Sequence, residues 1–367
     1  MSTIARRESQ PDTQRPTATI NRRMVTAVAA CLSALAAAVA ISPMIGYTSI
    51  SLSDAWGAIL SGDEHTEVYN IVVRVRLPRS LLALLAGSTL ALCGAVFQAV
   101  FRNPLATPYT LGIASGGSLG ALIAIKLGLG AATVLGISML PVLSLAGSLA
   151  VVAAVGFMIR SPSRLSGNEL LLAGITMGMF CSAMMMFLTY LADVSDTFQI
   201  VRWMMGSLTT VGFDVPMLML PFLIPAWIGM LMQARSLNQY ALGLELAATR
   251  GVSPVRVMVL CVGLASVATA AVVAFCGPIG FVGLIVPHAV RLALGSDHRI
   301  LLPCSALLGG TFLMVCDWGA TLLPQLFGAL AGRNVTAAQL PIGVITALVG
   351  APVFLLMLRR RAGQNRS

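Results

Sequence analysis

Residues 76–117, RLPRSLLALLAGSTLALCGAVFQAVFRNPLATPYTLGIASGG, hold an apolar run too long and too poor in charge for the surface of a soluble domain. No charged residue interrupts it between Arg79 and Arg102, and a helix needs about 20 apolar residues to cross the hydrocarbon core of a bilayer. Gly87, Gly94, Gly112, Gly116 and Gly117 sit among small residues, which let helix backbones approach closely in lipid. Gln98 and Asn103 place amides near the end of the run, where Pro104 and Pro108 break the helix. Non-helical backbone at membrane depth survives only inside protein or against a cavity. The break therefore supports two readings, close packing or the lining of a transport path. On the second, Gln98, Asn103, Pro104, Gly112 and Gly116 are the lining candidates.

The same texture extends over the whole chain. Of 367 residues, 57% are hydrophobic and 10% charged, and the mean hydropathy is +0.89. A soluble domain carries about a quarter charged residues, so this composition predicts an all-α polytopic membrane protein. Apolar runs bounded by charge, glycine and proline give spans at 24–46, 77–101, 109–129, 137–159, 169–191, 214–233, 255–275, 278–294, 301–323 and 341–358. About ten spans consume roughly 200 positions and leave no room for a large soluble domain. Residues 24–360 are thus one membrane domain. Residues 1–23 form a polar tail too poor in apolar residues to fold, and 361–367 a short second tail. A further break, CGPIGFVGLIVPHAVRL from Cys276 to Leu292, makes the eighth span short and proline-interrupted. The two breaks occupy corresponding parts of the two halves, as in transporters built from inverted repeats.

Lysine and arginine are retained on the cytoplasmic side of membrane proteins. With both termini inside, only Arg74, Arg76, Arg79, Lys126, Arg202 and Arg333 of the 23 basic residues fall outside. The net charge of +10 is scattered singly rather than gathered on a face, so no nucleic-acid partner is implied and membrane lipid is the expected surround. The seven cysteines lie in apolar runs without a CxxC, and read as small packing residues. Two loops are long. The outer 47–76 segment carries Asp54, Asp63, Glu64 and Glu67 and is expected over the membrane surface. The inner 234–254 segment, ARSLNQYALGLELAATRGVSP, predicts one or two short helices whose many Ala and Leu call for a covering partner.

RLPR (76–79), QAVFRNPLATPYTLG (98–112), LLLAG (170–174), GPIGFVGLIVPHAVRL (277–292) followed by DHR (297–299), and LPIGVITALVGAPVF (340–354) resemble the FecCD family. Its members are permease subunits of ABC importers for ferric siderophores, haem and cobalamin, and the resemblance runs from about 24 to 360. It implies a ten-helix type II permease in the cell (inner) membrane, paired with an identical or sister permease. A cytoplasmic ATPase would bind beneath, and a periplasmic or lipid-anchored substrate-binding protein would deliver cargo, with a ferric siderophore as the first expectation. Arg76 and Arg79 match arginines that pair with acids of the binding protein in cobalamin permeases of the family. The alternative is that they anchor a helix end near headgroups. Gly243, Glu245, Ala247, Ala248 and Gly251 look like the importer pattern that couples to the ATPase. Two departures stand out: no arginine follows Asp317 within a few residues, and Gln339 replaces the usual acid before the last LPIG. Arg333 is a substitute candidate for that missing contact.

Enzymatic readings find little support. A Walker A loop needs Gly-Lys-Ser/Thr, yet the lone lysine, Lys126, is followed by Leu127, so ATP hydrolysis belongs to another chain. His65, His288 and His298 form no HExxH, there is no GxSxG, and neither a catalytic centre, a metal site nor a cofactor is expected. An ion-coupled secondary transporter would need membrane-embedded acids along its path, whereas the acids here lie at edges and in loops. The exception is Asp317, near the outer end of its span, which could pair with an outer arginine. His288, an ionisable group in the membrane and so also a functional candidate, follows Pro287 at a helix break, where it could simply cap backbone carbonyls.

Overall fold

In the computed structural model, residues 15–134, 137–158, 167–330 and 339–364 are described. Among them the helices are α1 (Arg15–Ile41), α2 (Leu52–Ser61), α3 (Glu67–Tyr69), α4 (Leu77–Val100), α5 (Ile113–Lys126), α6 (Met139–Met158), α7 (Gly167–Tyr190) and α8 (Val194–Met204). There follow α9 (Asp214–Met232), α10 (Ala234–Leu242), α11 (Leu244–Thr249), α12 (Pro254–Cys276), α13 (Val282–Leu294), α14 (His298–Leu330) and α15 (Ile342–Gln364). A two-residue antiparallel pair joins Thr133–Val134 to Ile137–Ser138. Seven described segments are long and apolar enough to span a membrane, and α5, α13 and α15 carry the shorter apolar stretches. Each span read from the sequence has its helix, and the protein is an all-α, polytopic membrane protein.

Three elements differ from expectation. α1 begins at Arg15, inside the stretch read as an unfolded tail; once an apolar span has nucleated a helix, each added residue gains a hydrogen bond at little further cost. α14 runs through Pro324 to Leu330 and takes up much of what read as a loop. The segment before α9 forms the unexpected α8, tied to α5 by Lys126 and Asp196 at 3.6 Å. Residues 1–14, 365–367 and Arg333 lie outside the described residues.

α4 is the core, 83% buried over its apolar stretch, against 22% for α6. Glycine makes that enclosure possible. A Cβ on Gly87 would stand 2.3 Å from the Gly309 carbonyl of α14, and one on Gly94 1.9 Å from the Gly283 carbonyl of α13. α5 and α6 close in the same way through Gly116 and Gly147. This is helix association by backbone proximity, as lipid favours.

The prolines are accommodated just as specifically. A proline removes the N–H that would serve the carbonyl four residues earlier, and in lipid that carbonyl must find another donor. Pro78 frees the Arg74 carbonyl, which accepts from Gly212 N–H at 2.8 Å. Pro287 frees Gly283, which accepts from Gln98 Nε2 at 3.3 Å. Pro324 frees Ala320, which accepts from Leu340 N–H at 3.2 Å. At these three prolines the lost helical bond becomes a bond to another segment. The two breaks also interlock. Tyr109, in the turn before α5, donates its hydroxyl proton to the Ile279 carbonyl and accepts from Ile279 N–H, both at 2.7 Å.

Candidate functional site

The end expected to face outward is built on the entry to α4, where a π-helical turn (Asn70–Arg76) precedes Leu77. Arg76 is turned inward, only 7% exposed. It donates to the Pro43 carbonyl at 2.7 Å and to the Thr48 carbonyl and hydroxyl at 2.6 and 2.9 Å. Gly46 leaves the room, since a Cβ there would meet the guanidinium at 2.5 Å. Arg76, expected as a docking arginine, thereby pins the 43–48 loop.

Arg79 is also engaged. Its Nε donates to both Asp317 oxygens at 3.0 and 2.9 Å, its Nη2 to Oδ1 at 2.6 Å, and its Nη1 to Gln339 Oε1. The side chains are 14% and 10% exposed, so the pairing of Asp317 with an outer arginine is realised, and Gln339 completes it. A cavity of about 260 Å³ beside them is lined by Tyr47, Arg76, Arg79, Asp317, Trp318 and Gln339 among others. Tyr47 and Gln339 also border a neighbouring hollow of about 500 Å³ with Phe198 and the exposed Arg202.

Of the lining candidates, Gln98 is 4% exposed, donating to Gly283 and Leu284 carbonyls and accepting from Arg291 Nη1 at 2.9 Å. Gly112, at φ +78°, packs on Gly174 and Gly178 of α7, and Gly116 on Gly147. These three sit in the chain's own interior, the two glycines packed against neighbouring backbone. Asn103 accepts from Leu105 N–H at 2.9 Å and shapes the turn, with Pro104 exposed beside it. His288, 2% exposed, packs edge-on to Phe354 with ring centres 5.9 Å apart.

The other end carries the α10–α11 elbow. Gly243 (φ +137°) and Gly251 (φ +80°) take backbone shapes that side chains resist. Ala247 is fully buried, which removes it from any contact surface, whereas Glu245 and Ala248 face out. Leu242, Leu244 and Leu246, which sequence reading had not singled out, are 57%, 43% and 52% exposed. The elbow is held from two sides. Arg102 donates to the Tyr240 carbonyl at 2.6 Å and stacks over its ring at 5.2 Å. Asn238 bonds the turn between α13 and α14. There Asp297 is partly buried, which raises its pKa, but bonds from Arg299 and Asn238 outweigh this and hold it at about 2.

The sequence matches the FecCD transport family model over residues 34–360. It is 40% identical over 309 residues to the uncharacterized ABC transporter permease YvrB of Bacillus subtilis, covering 83% of each chain. It is 39% identical over 317 residues to the vitamin B12 import permease BtuC of Escherichia coli, covering 84% of this chain and 90% of that one. Among solved structures, an ABC transporter assigned to the metal-chelate type, in an inward-facing conformation, superposes with a TM-score of 0.76 at 29% identity, covering 92% of this chain and 99% of that one. An all-helical membrane bundle, the interlocked breaks and this breadth of similarity agree: the chain belongs to the FecCD transport family and is an ABC importer permease, a transporter subunit and not an enzyme.

Proposed function

We propose that the chain carries a metal chelate, a ferric siderophore in the first instance, across the cell membrane with both termini in the cytoplasm. It works beside a second permease, identical or sister, above a cytoplasmic ATPase that supplies the energy, and receives its cargo from a binding protein outside. The observation that carries this reading is the α10–α11 elbow. It presents Glu245, Ala248 and three exposed leucines on an otherwise cationic side. An apolar patch with a polar rim is the mark of a protein partner. On the outer side, Arg79 at the edge of its cavity and Arg202 beside it are the docking cations, with Arg76 bracing the loop behind them.

The chelate class is supported by the metal-chelate assignment of the superposing structure. Cobalamin is the second reading, favoured by the name of the BtuC relative. The siderophore is placed first because Gln339 and the residues after Asp317 depart from the family's docking pattern, which suits a different delivery protein. The test is uptake into liposomes holding the permease with its ATPase and binding protein, using a ferric hydroxamate, haemin and cyanocobalamin. ATP-dependent uptake of the ferric hydroxamate alone is expected. Uptake of cyanocobalamin alone would transfer the assignment to the second reading, and uptake driven by a proton gradient without ATP would contradict an ATP-driven importer.

A further inference from the structure

We propose that Asn238 is a positioning residue: it ties the ATPase-facing elbow to the foot of α14, so that α14 carries motion from that elbow toward the outer Arg79–Asp317 pair. The inference rests on the reading of α10–α11 as the ATPase contact.

Asn238 makes three bonds to one turn. Its Nδ2 donates to Asp297 Oδ1 at 2.7 Å. Its Oδ1 accepts from His298 N–H at 2.8 Å and lies 2.7 Å from His298 Nδ1. His298 is the first residue of α14, and the first N–H groups of a helix have no partner within it. Asp297 caps the start locally through Arg299 N–H at 2.9 Å; Asn238 caps it from another helix. His298 is 4% exposed, so its two contacts with Asn238 are partly shielded from water, which strengthens them, while the Asp297 carboxylate stays 30% exposed.

What lies beyond the joint gives it consequence. α14 is one helix of 33 residues, about 50 Å at the standard rise. About a third of the way along it is zipped to α4 at Gly87 and Gly309, and just past its middle Asp317 holds Arg79. A displacement of α10 therefore meets a stiff rod gripped at its foot. The other hold on the elbow, Arg102 to the Tyr240 carbonyl, leads to the end of α4, the partner of the same rod. Asn238 is itself neutral, so the joint reaches the Asp297 carboxylate and the start of α14 without adding a second charge to desolvate.

The experiment uses liposomes containing the permease with its ATPase and binding protein, and compares chelate delivered with ATP hydrolysed, the chelate being whichever of the ferric hydroxamate, haemin and cyanocobalamin the wild type carries. Asn238→Asp keeps an acceptor for His298 but sets a carboxylate against Asp297. It is expected to retain ATPase assembly and hydrolysis while delivery per ATP falls about tenfold, the loss of one well-formed charge-assisted bond. The exchange Asn238→Asp with Asp297→Asn restores donor facing acceptor and is expected to bring the ratio back to within about threefold. Loss of assembly in Asn238→Asp, or a double variant no better than the single one, would overturn the joint. Glu245→Arg is the separate control: if it leaves assembly intact, the elbow is not the ATPase contact, and the failure belongs to that reading rather than to Asn238.

Discussion

α14 is held in opposite ways at two points. Past its middle, Asp317 and Arg79 face each other as full charges with little exposure, closed by Gln339. At its N-terminal foot, the contact to the neighbouring helix is made by neutral Asn238, and the ion pair of Asp297 with Arg299 is partly open to solvent at 30% and 40%. A buried charge pair is costly to open, because either partner left alone stays desolvated. A neutral hydrogen-bonded joint can shift its partners at small cost. The Asp317–Arg79 pair is thus a clamp that is costly to open, and on the proposed scheme the Asn238 contact is where motion would enter.

Removing one side of the clamp should have the largest effect. Asp317→Ala leaves the Arg79 guanidinium with Gln339 alone and should destabilise the protein by about 3–5 kcal/mol, read as thermal unfolding in detergent. Replacing both Arg79 and Asp317 by leucine should recover much of that loss; a double variant as unstable as the single one would show that the pair is not the cause. Next comes the close backbone packing of α4 on α13. Gly94→Ala drives a methyl into the Gly283 carbonyl and should cost about 1–3 kcal/mol through overpacking. Gly263→Ala, with nothing within 4 Å of the new atom, should be stabilising by up to about 1 kcal/mol from helix propensity.

How far the sequence revealed this comparison depends on whether a feature is local or made by the fold. Spans, breaks and the glycine texture were legible, because apolar length and small-residue spacing are local facts. The pairing of Asp317 with an outer arginine could be anticipated, because an acid at that depth needs a cation. That Arg76 turns inward could not, since it depends on Gly46 and on carbonyls some thirty residues away. Nor could the role of Gln98. Pro287 announces an orphaned carbonyl at Gly283, but only the packing of α4 on α13 brings an amide to it. Asn238 was missed for the same reason: an asparagine in a polar loop carries no signal until the foot of α14 is beside it.

Two smaller effects sharpen the contrast. The Asp297 carboxyl, held at about 2, contributes stability that is present above its unfolded pKa of about 4 and is lost as pH falls through the folded value. Delivery should therefore show no step from this group between about pH 5 and 8, a range in which it stays ionised; a titration there that vanishes in Asp297→Asn would refute it. The smallest effect is expected from Arg74→Ala, which breaks an exposed pair with Glu64, 3.0 Å apart with side chains 55% and 63% exposed. Such pairs contribute under about 1 kcal/mol, and stability and uptake should both be unchanged within error.

The side of the membrane on which the elbow lies decides the whole scheme. All seven native cysteines are buried, so a thiol introduced by Glu245→Cys on exposed α11 can be labelled against a low background with a membrane-impermeant maleimide. Labelling in inside-out vesicles but not in intact cells, and protection when the ATPase is bound, is the predicted result. Labelling of intact cells from outside would contradict it.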